Sequence, residues 1–211
     1  MKQYKAYLFD GDGTLYDTAE MIYQCFAYSC KKFGNVNVTR DAVFGNIGIP
    51  LRPQLEHFLG PLSDEKAAEV MQTHMAYQLT IYKDYLTLFP GVAETLQQLK
   101  KNGKKLSVVT SRKIQTLSLY LETTGIKVLF DTLITPESTR EHKPEPEPAF
   151  AALKALGCAP SEALFVGDSV YDIACGAEAG TDTAFVGWSH IPVSSVPIQP
   201  TYIINKMSEL L

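Results

Sequence analysis

Short apolar segments without alternating polar positions recur along the chain and predict strands that are buried on both faces. These segments are residues 6–9, 106–109, 132–135, 163–166 and 183–186. Amphipathic segments lie between the later ones and predict helices over residues 92–101, 114–124, 148–156 and 171–179. Strand and helix in alternation are typical of a parallel sheet. We therefore expect a Rossmann-like α/β fold, with helices on both faces of the sheet.

The region from residue 16 to residue 86 interrupts this alternation, because it carries helical patterns and no convincing strand. The patterns predict helices over residues 19–33 and 64–86. In the second helix, large apolar side chains recur at helical spacing and favour a packed helix–helix seam: Met71, Met75, Leu79, Tyr82 and Leu86. We expect an α/β core of residues 1–15 and 87–211, with a helical domain of residues 16–86 inserted into it.

Composition narrows the function classes. The net charge of −4 provides no basic surface for a nucleic acid. No segment approaches the roughly 20 apolar residues of a membrane span, and the apolar run of residues 6–9 is too short for a signal peptide. The four cysteines lack CxxC spacing, and Cys30 lies on a helical apolar stripe, which favours a buried thiol in a reducing cytoplasm.

Two carboxylates one residue apart, Asp10 and Asp12, follow the first predicted strand. One interpretation is a solvated Asp-Gly turn. An EF-hand calcium loop does not fit, because positions 6 and 12 counted from Asp10 are Leu15 and Met21 instead of glycine and an acid. The third interpretation is a catalytic pair. Residues i and i+2 of an extended chain point to one side, so both carboxylates would face the crevice where open α/β sheets bind ligands.

Facing carboxylates repel each other unless a cation separates them, and this favours Mg²⁺ together with a phosphate ligand. Other predicted strand ends carry matching groups. Asp168 follows the strand over residues 163–166, and Asp172 comes four residues later. Thr110 and Ser111 precede a predicted helix, whose free N–H groups favour an anion. Lys143 lies in a proline-rich loop, where a solvated side chain is the alternative interpretation.

These residues resemble the four motifs of the haloacid dehalogenase superfamily, and the resemblance covers essentially the whole chain. The DxDGT motif corresponds to Asp10-Gly11-Asp12-Gly13-Thr14, and the remaining motifs correspond to Thr110, Lys143 and the GDxxxD segment from Gly167 to Asp172. Gly11 departs from the family pattern, in which an apolar residue is commoner, and we expect it to loosen the loop. The resemblance implies that residues 1–15 and 87–211 form a catalytic core and residues 16–86 a small helical cap.

The resemblance also implies a chemistry. Asp10 would attack phosphorus and form an aspartyl-phosphate, which divides one difficult displacement into two steps. Asp12 would protonate the leaving oxygen and then accept a proton from the hydrolytic water. Dehalogenases of this family lack a carboxylate at the position of Asp12, so its presence favours a phosphatase over a dehalogenase.

The ligand sets implied by the resemblance involve the same strand ends. Mg²⁺ would be held by the Asp10 carboxylate, the Asp12 backbone carbonyl and the Asp168 carboxylate, while Asp172 would support these ligands. The transferring phosphoryl group would be bound by Thr110 and Lys143, with help from the backbone N–H groups of Gly11 and Ser111.

The substrate is less constrained by the sequence. Arg52, which follows the glycine-marked loop of residues 45–51, could bind a substrate carboxylate or second phosphate, or could be a surface helix residue. The overall pattern is most similar to the phosphoglycolate phosphatase and pyrophosphatase branch, and we expect a small phosphate monoester such as phosphoglycolate. Alternatives are a pyrophosphatase or nucleotide phosphatase, a β-phosphoglucomutase-like mutase, and a non-catalytic binding module. The expected state is a cytoplasmic monomer or homodimer.

Overall fold

The computed structural model describes all 211 residues, and its central element is a six-stranded sheet. The strands of the chain are β1 (Ala6–Phe9), β2 (Tyr16–Asp17), β3 (Thr87–Leu88), β4 (Lys105–Val109), β5 (Thr132–Ile134), β6 (Ala163–Gly167), β7 (Asp182–Val186) and β8 (Tyr202–Ile204). The order in the large sheet is β5-β4-β1-β6-β7-β8, with every neighbouring pair parallel, while β2 and β3 form a separate pair. The predicted α/β fold with a parallel sheet is confirmed.

Strand β1 lies in the middle of the sheet, between β4 and β6. All residues of β1 and β6 are buried, as expected for apolar strands covered on both faces. From β1 the chain adds β4 and β5 on one side and then β6, β7 and β8 on the other. Such a reversal of strand order opens a crevice outside the carboxyl ends of the strands, where ligands bind in open α/β sheets.

Eight α-helices accompany the strands, and none of them has the length and apolar character needed to cross a membrane. They are α1 (Ala19–Gly34), α2 (Arg40–Phe44), α3 (Leu51–Leu59), α4 (Asp64–Tyr85), α5 (Val92–Lys101), α6 (Ile114–Thr123), α7 (Glu147–Leu156) and α8 (Val170–Glu178). Alternate residues of β1 point to opposite faces of the sheet. Ala6 and Leu8 join the core cluster that contains residues of α7 and α8. Tyr7 and Phe9 stack at 6.2 Å, and the Tyr7 hydroxyl donates a hydrogen bond to the Leu210 carbonyl in a turn that contacts α5.

The internal contacts divide the chain into two units, which we call the sheet unit and the helical unit. The sheet unit comprises Met1–Tyr16 and Leu88–Leu211, and the helical unit comprises Asp17–Thr87. Inside the helical unit, α1 to α4 enclose an apolar cluster built around Phe26, Cys30, Val43, Leu55 and Val70. The Cys30 thiol is fully buried there, as predicted, and all four cysteines of the chain are free.

The predicted seam of α4 is correct only in part, since Met71 packs against the apolar cluster and Leu86 is buried. The buried positions of this helix are Ala67, Val70, His74 and Gln78, whereas Leu79 is 41% exposed. His74 packs edge-on against Phe26 of α1 at 4.9 Å, and its Nδ1 atom forms a 3.2 Å hydrogen bond with the Ser29 hydroxyl. His74 can occupy the buried face because α1 provides Ser29 as a polar partner, and hydropathy alone cannot detect this.

Four shorter elements, β2, β3, β8 and α2, also differ from the expected pattern. Residues 16–86 were expected to lack strands, yet β2 begins this region with two residues and pairs with β3, which follows it directly. Strand β8 at the sheet edge was not predicted, because only three residues pair and a proline- and serine-rich segment precedes them. Helix α2 was not predicted either, since its five residues span little more than one turn.

Candidate active site

The register of the three central strands brings the predicted strand-end residues together. Phe9 of β1 is level with Val108 of β4 and with Val166 of β6. The Asp10 N–H donates to the Val166 carbonyl at 2.9 Å, which continues the ladder by one residue. Thr110 and Asp168 each follow two positions after these register partners. The carboxyl ends of β4, β1 and β6 therefore form one edge that carries a hydroxyl and two carboxylates.

A buried lysine links two carboxylates at this edge. The Lys143 Nζ atom donates to Asp10 Oδ1 and to Asp172 Oδ1, each at 2.6 Å, and to the Val109 carbonyl at 3.3 Å. Burial disfavours the charged form of Lys143, but the carboxylates outweigh it and hold the lysine pKa above its ordinary value. The solvated loop position considered for Lys143 is therefore wrong. The side chain is 2% exposed and lies between two acids.

Asp10 is only 6% exposed, and its two carboxylate oxygens differ. Oδ1 accepts the hydrogen bond from Lys143, whereas Oδ2 has no hydrogen-bond partner in the structure. Burial raises the pKa of Asp10 to about 7, against the opposing effect of Lys143. One oxygen is thus held in place while the other is left for a ligand.

Asp168 lies against the loop that contains Asp10 and Asp12. Its Oδ1 accepts a 3.4 Å hydrogen bond from the Thr14 hydroxyl, and its carbonyl accepts one from the Ser189 hydroxyl at 2.6 Å. Burial, followed by the charges of Asp172 and Asp10, holds the pKa of Asp168 well above its ordinary value. Gly13 has a φ of +80°, and a Cβ there would lie 2.2 Å from Asp168 Oδ2, so only glycine allows this approach.

The acidic groups at this edge fit a hard divalent cation. One carboxylate oxygen from each of Asp10, Asp168 and Asp172 lies within 4.8 Å of the others. Asp172 is the least available of the three, because its Oδ1 binds Lys143 and its Oδ2 accepts hydrogen bonds from the Ser169 N–H and hydroxyl. Oxygen-only donors and mutual repulsion among buried carboxylates favour Mg²⁺ over a softer metal.

Asp12 forms an ion pair that the sequence interpretation missed. Arg112 donates from Nε to Asp12 Oδ2 at 2.8 Å and from Nη2 to Asp12 Oδ1 at 2.6 Å. Both side chains are largely buried, at 9% and 14% exposure. The only sequence signal was that Arg112 directly follows Thr110 and Ser111, in the same strand-to-helix turn.

The structure explains why position 11 is glycine, and the explanation differs from the predicted loosening of the loop. A Cβ at this position would lie 2.4 Å from the Tyr16 hydroxyl oxygen and 3.0 Å from Tyr16 Cζ. Tyr16 is fully buried, and its hydroxyl has no hydrogen-bond partner. Glycine at position 11 therefore makes room for the tyrosine ring, because a side chain there would overlap with it.

The remaining predicted site residues divide between the two units. Thr110 lies at the edge with Asp10, and its Oγ1 accepts a 3.2 Å hydrogen bond from the Arg112 N–H. Ser111 follows in the same turn and is partly buried. Arg52 lies in α3 of the helical unit, where its guanidinium pairs with Glu56 at 3.0 Å and with Asp64 at 2.8 Å.

Comparisons with known proteins cover most or all of the chain. The family model described as haloacid dehalogenase-like hydrolase matches residues 7–186. Pyrophosphatase PpaX of Bacillus velezensis is 38% identical over 211 residues, which is 100% of this chain and 96% of the relative.

Two solved structures have the same fold. A haloacid dehalogenase-like hydrolase from Bacteroides fragilis aligns with a TM-score of 0.91 at 27% identity, covering 99% of this chain and 100% of the other. A protein from Haemophilus somnus, described as a predicted phosphoglycolate phosphatase, aligns with a TM-score of 0.89 at 25% identity, covering 100% and 97%.

Proposed function

Because this chain belongs to the haloacid dehalogenase-like hydrolase family, we propose that it is a Mg²⁺-dependent phosphohydrolase that acts through a phosphorylated Asp10. The single observation that carries the proposal is the asymmetry of the Asp10 carboxylate. Lys143 holds Oδ1 at 2.6 Å, and Oδ2 has no partner. A nucleophile fixed through one oxygen and open at the other is oriented for in-line attack on phosphorus.

The first step forms a bond between Asp10 Oδ2 and phosphorus while the bond from phosphorus to the leaving oxygen breaks. Asp12 delivers a proton to that oxygen when the leaving group requires one. The Thr110 hydroxyl donates to a phosphoryl oxygen, and the positive charge of the Lys143 ammonium stabilises the negative charge that spreads over the phosphoryl oxygens in the transition state. Backbone N–H groups of Gly11 and Ser111 complete this binding.

The second step releases phosphate. Water attacks phosphorus, Asp12 accepts a proton from the water, and the bond between phosphorus and Asp10 breaks. Asp10 returns to its carboxylate form, so that the cycle consumes one water and leaves the enzyme unchanged. Lys143 compensates the charge of Asp10 throughout, and Ser169 keeps Asp172 aligned with the lysine through two hydrogen bonds.

The carboxylates of Asp10 and Asp168 and the backbone carbonyl of Asp12 would hold Mg²⁺ in this proposal, with Asp172 supporting them. The cation, when bound, supplies charge neutralisation between the carboxylates and the phosphoryl oxygens. Such a role fits the raised pKa of Asp10 and Asp168, because two buried acids at one edge are more stable as anions beside a cation.

Two substrate classes stand out. Pyrophosphate is favoured by the relative from Bacillus velezensis, which is named a pyrophosphatase and aligns over the whole chain. A small phosphate monoester of the phosphoglycolate type is favoured by the name of the Haemophilus somnus structure. Arg52 is a weaker candidate for substrate recognition, because Glu56 and Asp64 already compensate its charge. A nucleotide phosphatase, a mutase and a non-catalytic module are the outcomes against which the proposal is tested.

The test is a phosphate-release assay of the purified chain with Mg²⁺ and with EDTA. The substrates are pyrophosphate, phosphoglycolate, nucleoside monophosphates, β-glucose 1-phosphate and p-nitrophenyl phosphate. We expect metal-dependent release that Asp10→Asn abolishes, while Asp84→Asn, a change of an exposed carboxylate in α4, leaves it intact. The substrate with the largest kcat/KM identifies the class. Conversion of β-glucose 1-phosphate to an isomer without phosphate release, or no turnover at all, would contradict the proposal.

A further inference from the structure

The ion pair between Arg112 and Asp12 is the feature of the site that the family motifs do not explain. Arg112 follows the second motif, and Asp12 belongs to the first, so that 100 positions separate them. The two parallel hydrogen bonds, at 2.8 Å and 2.6 Å, engage both carboxylate oxygens. A bidentate pair of this kind fixes the plane of the carboxylate as well as its position.

The Arg112 guanidinium also contacts an aromatic ring. Its Cζ atom lies 4.4 Å from the centre of the Tyr120 ring, a cation–π distance. Tyr120 is fully buried in α6 and meets the Tyr16 ring edge-on at 5.8 Å. The Tyr16 hydroxyl in turn occupies the space that a side chain at Gly11 would need. The contacts therefore run from Asp12 through Arg112 and two tyrosines back to the residue beside Asp12.

We propose that Arg112 is a positioning residue that orients the Asp12 carboxylate toward the hydrolytic water in the second step. The inference rests on the proposed phosphohydrolase function. The guanidinium fixes the plane of the Asp12 carboxylate through both of its oxygens. Asp12 then accepts the proton of the water from a fixed direction as the water oxygen bonds to phosphorus and the Asp10–phosphorus bond breaks.

The two-step scheme gives this role a kinetic signature. With p-nitrophenyl phosphate the leaving group departs without a proton, so formation of phospho-Asp10 does not need Asp12. Loss of Asp12 orientation then slows only the second step, which lowers kcat and KM together and leaves kcat/KM unchanged. A purely structural defect would lower kcat/KM as well. Phospho-Asp10 would also accumulate, and the intact mass of acid-quenched enzyme measures it.

The experiment compares Arg112→Met, Arg112→Lys and Asp12→Ala with p-nitrophenyl phosphate and Mg²⁺. Since acid–base groups contribute about 10²–10⁴-fold, we expect kcat of Arg112→Met to fall about 10²-fold with a parallel fall in KM. Arg112→Lys keeps the charge without the fork and should show the same split. It carries the test alone if Arg112→Met does not fold. Adding Arg112→Met to Asp12→Ala should cause no further loss of kcat.

The matched control is Arg40→Met in the helical unit. Arg40 makes the same kind of bidentate pair, with Glu20 at 2.8 Å and 2.9 Å, and lies 4.3 Å from the Tyr23 ring, but the pair is exposed. Its removal should leave kcat and KM unchanged.

Three outcomes would overturn the positioning role: an equal fall of kcat and kcat/KM, full activity of Arg112→Lys, or additive losses with Asp12→Ala. Absence of metal-dependent turnover in the unmodified enzyme would instead contradict the proposed function itself.

Discussion

The contact between Gly11 and Tyr16 predicts a measurable energetic coupling between the first motif and the tyrosine that follows it. Gly11 does not adopt a positive φ, so its backbone conformation by itself accepts alanine. The obstacle is the Tyr16 hydroxyl oxygen, 2.4 Å from the position of the new Cβ. Since Tyr16 is fully buried, its ring has little room to move away. Gly11→Ala should therefore destabilise the protein through overpacking.

The size of the effect follows from opposing contributions. Overpacking of a buried site costs about 1–3 kcal/mol, whereas Gly→Ala at a compatible backbone stabilises by about 0.4–1 kcal/mol. We expect a net loss of about 1–2 kcal/mol in the free energy of unfolding. Tyr16→Phe removes the clashing oxygen and leaves Cζ at 3.0 Å as the nearest atom. In that background Gly11→Ala should cost at least about 1 kcal/mol less, which is a typical coupling for residues in contact.

Tyr16→Phe alone provides an internal check. The Tyr16 hydroxyl is buried without a partner, and an unsatisfied buried polar group costs about 1–3 kcal/mol. Its removal should therefore be neutral or stabilising, whereas Tyr→Phe changes usually lose a hydrogen bond. Tyr28→Phe, at a residue with 38% exposure in α1, serves as the matched control and should change stability little.

Urea unfolding of the unmodified protein and the three variants of this cycle, followed by circular dichroism, measures the coupling. Gly45→Ala controls for the general effect of alanine, because the nearest atom to its Cβ is the Asp41 carbonyl at 3.3 Å. Equal costs of Gly11→Ala with and without Tyr16→Phe would refute the steric explanation. A clear destabilisation by Tyr16→Phe would refute the absence of a partner for the hydroxyl.

Three further predictions concern the charged edge. Mg²⁺ binding should weaken as the pH falls below about 7, because protons compete with the cation for Asp10 and Asp168, whose pKa values are raised. Calorimetry in two buffers with different ionisation enthalpies should detect the release of protons on binding, and a pH-independent affinity would contradict this prediction. Lys143→Met should cost about 3–5 kcal/mol at pH 8 without metal, since it leaves the Asp10 and Asp172 charges uncompensated. The loss should shrink toward pH 5, where Asp10 binds a proton that the unfolded chain, with a pKa near 3.9, does not bind; urea unfolding at both pH values measures it, and a larger loss at pH 5 would reverse the assigned sign. Ser169→Ala should cost about 1 kcal/mol, because the serine caps α8 and binds Asp172; thermal unfolding against Ser195→Ala, an exposed serine in a short turn, tests it.

The strands could be predicted because their signal is local. β1 and β6 are buried on both faces, so their residues are apolar without alternation, and the pattern marks the strands within a residue at each end. Asp10 and Asp168 could be placed at one edge for a related reason. In a parallel sheet the carboxyl ends of all strands meet at the same side, whatever the exact strand order.

The helical unit shows where such patterns fail. The stripe from Met71 to Leu86 has a helical period, but the face of α4 that is buried contains His74 and Gln78. Which face of a helix is buried depends on what the neighbouring helix provides, and α1 provides a hydroxyl at Ser29. A period identifies a helix, whereas the orientation of that helix depends on its packing partners.

The fold class and the candidate site residues at the strand ends could be predicted from the sequence, because burial and strand direction are encoded in short segments. The pairing of these side chains could be seen only in the folded protein. Asp10 with Lys143, Asp12 with Arg112, and Gly11 with Tyr16 and Tyr120 behind it are matched through contacts of a few ångströms. In the sequence, Arg112 cannot be told apart from a solvent-exposed arginine, because the aspartate that it pairs with at 2.6 Å is 100 positions away. Electrostatic and steric interactions depend on the distance between atoms in the folded protein, and this distance cannot be read from the separation of the partners along the sequence.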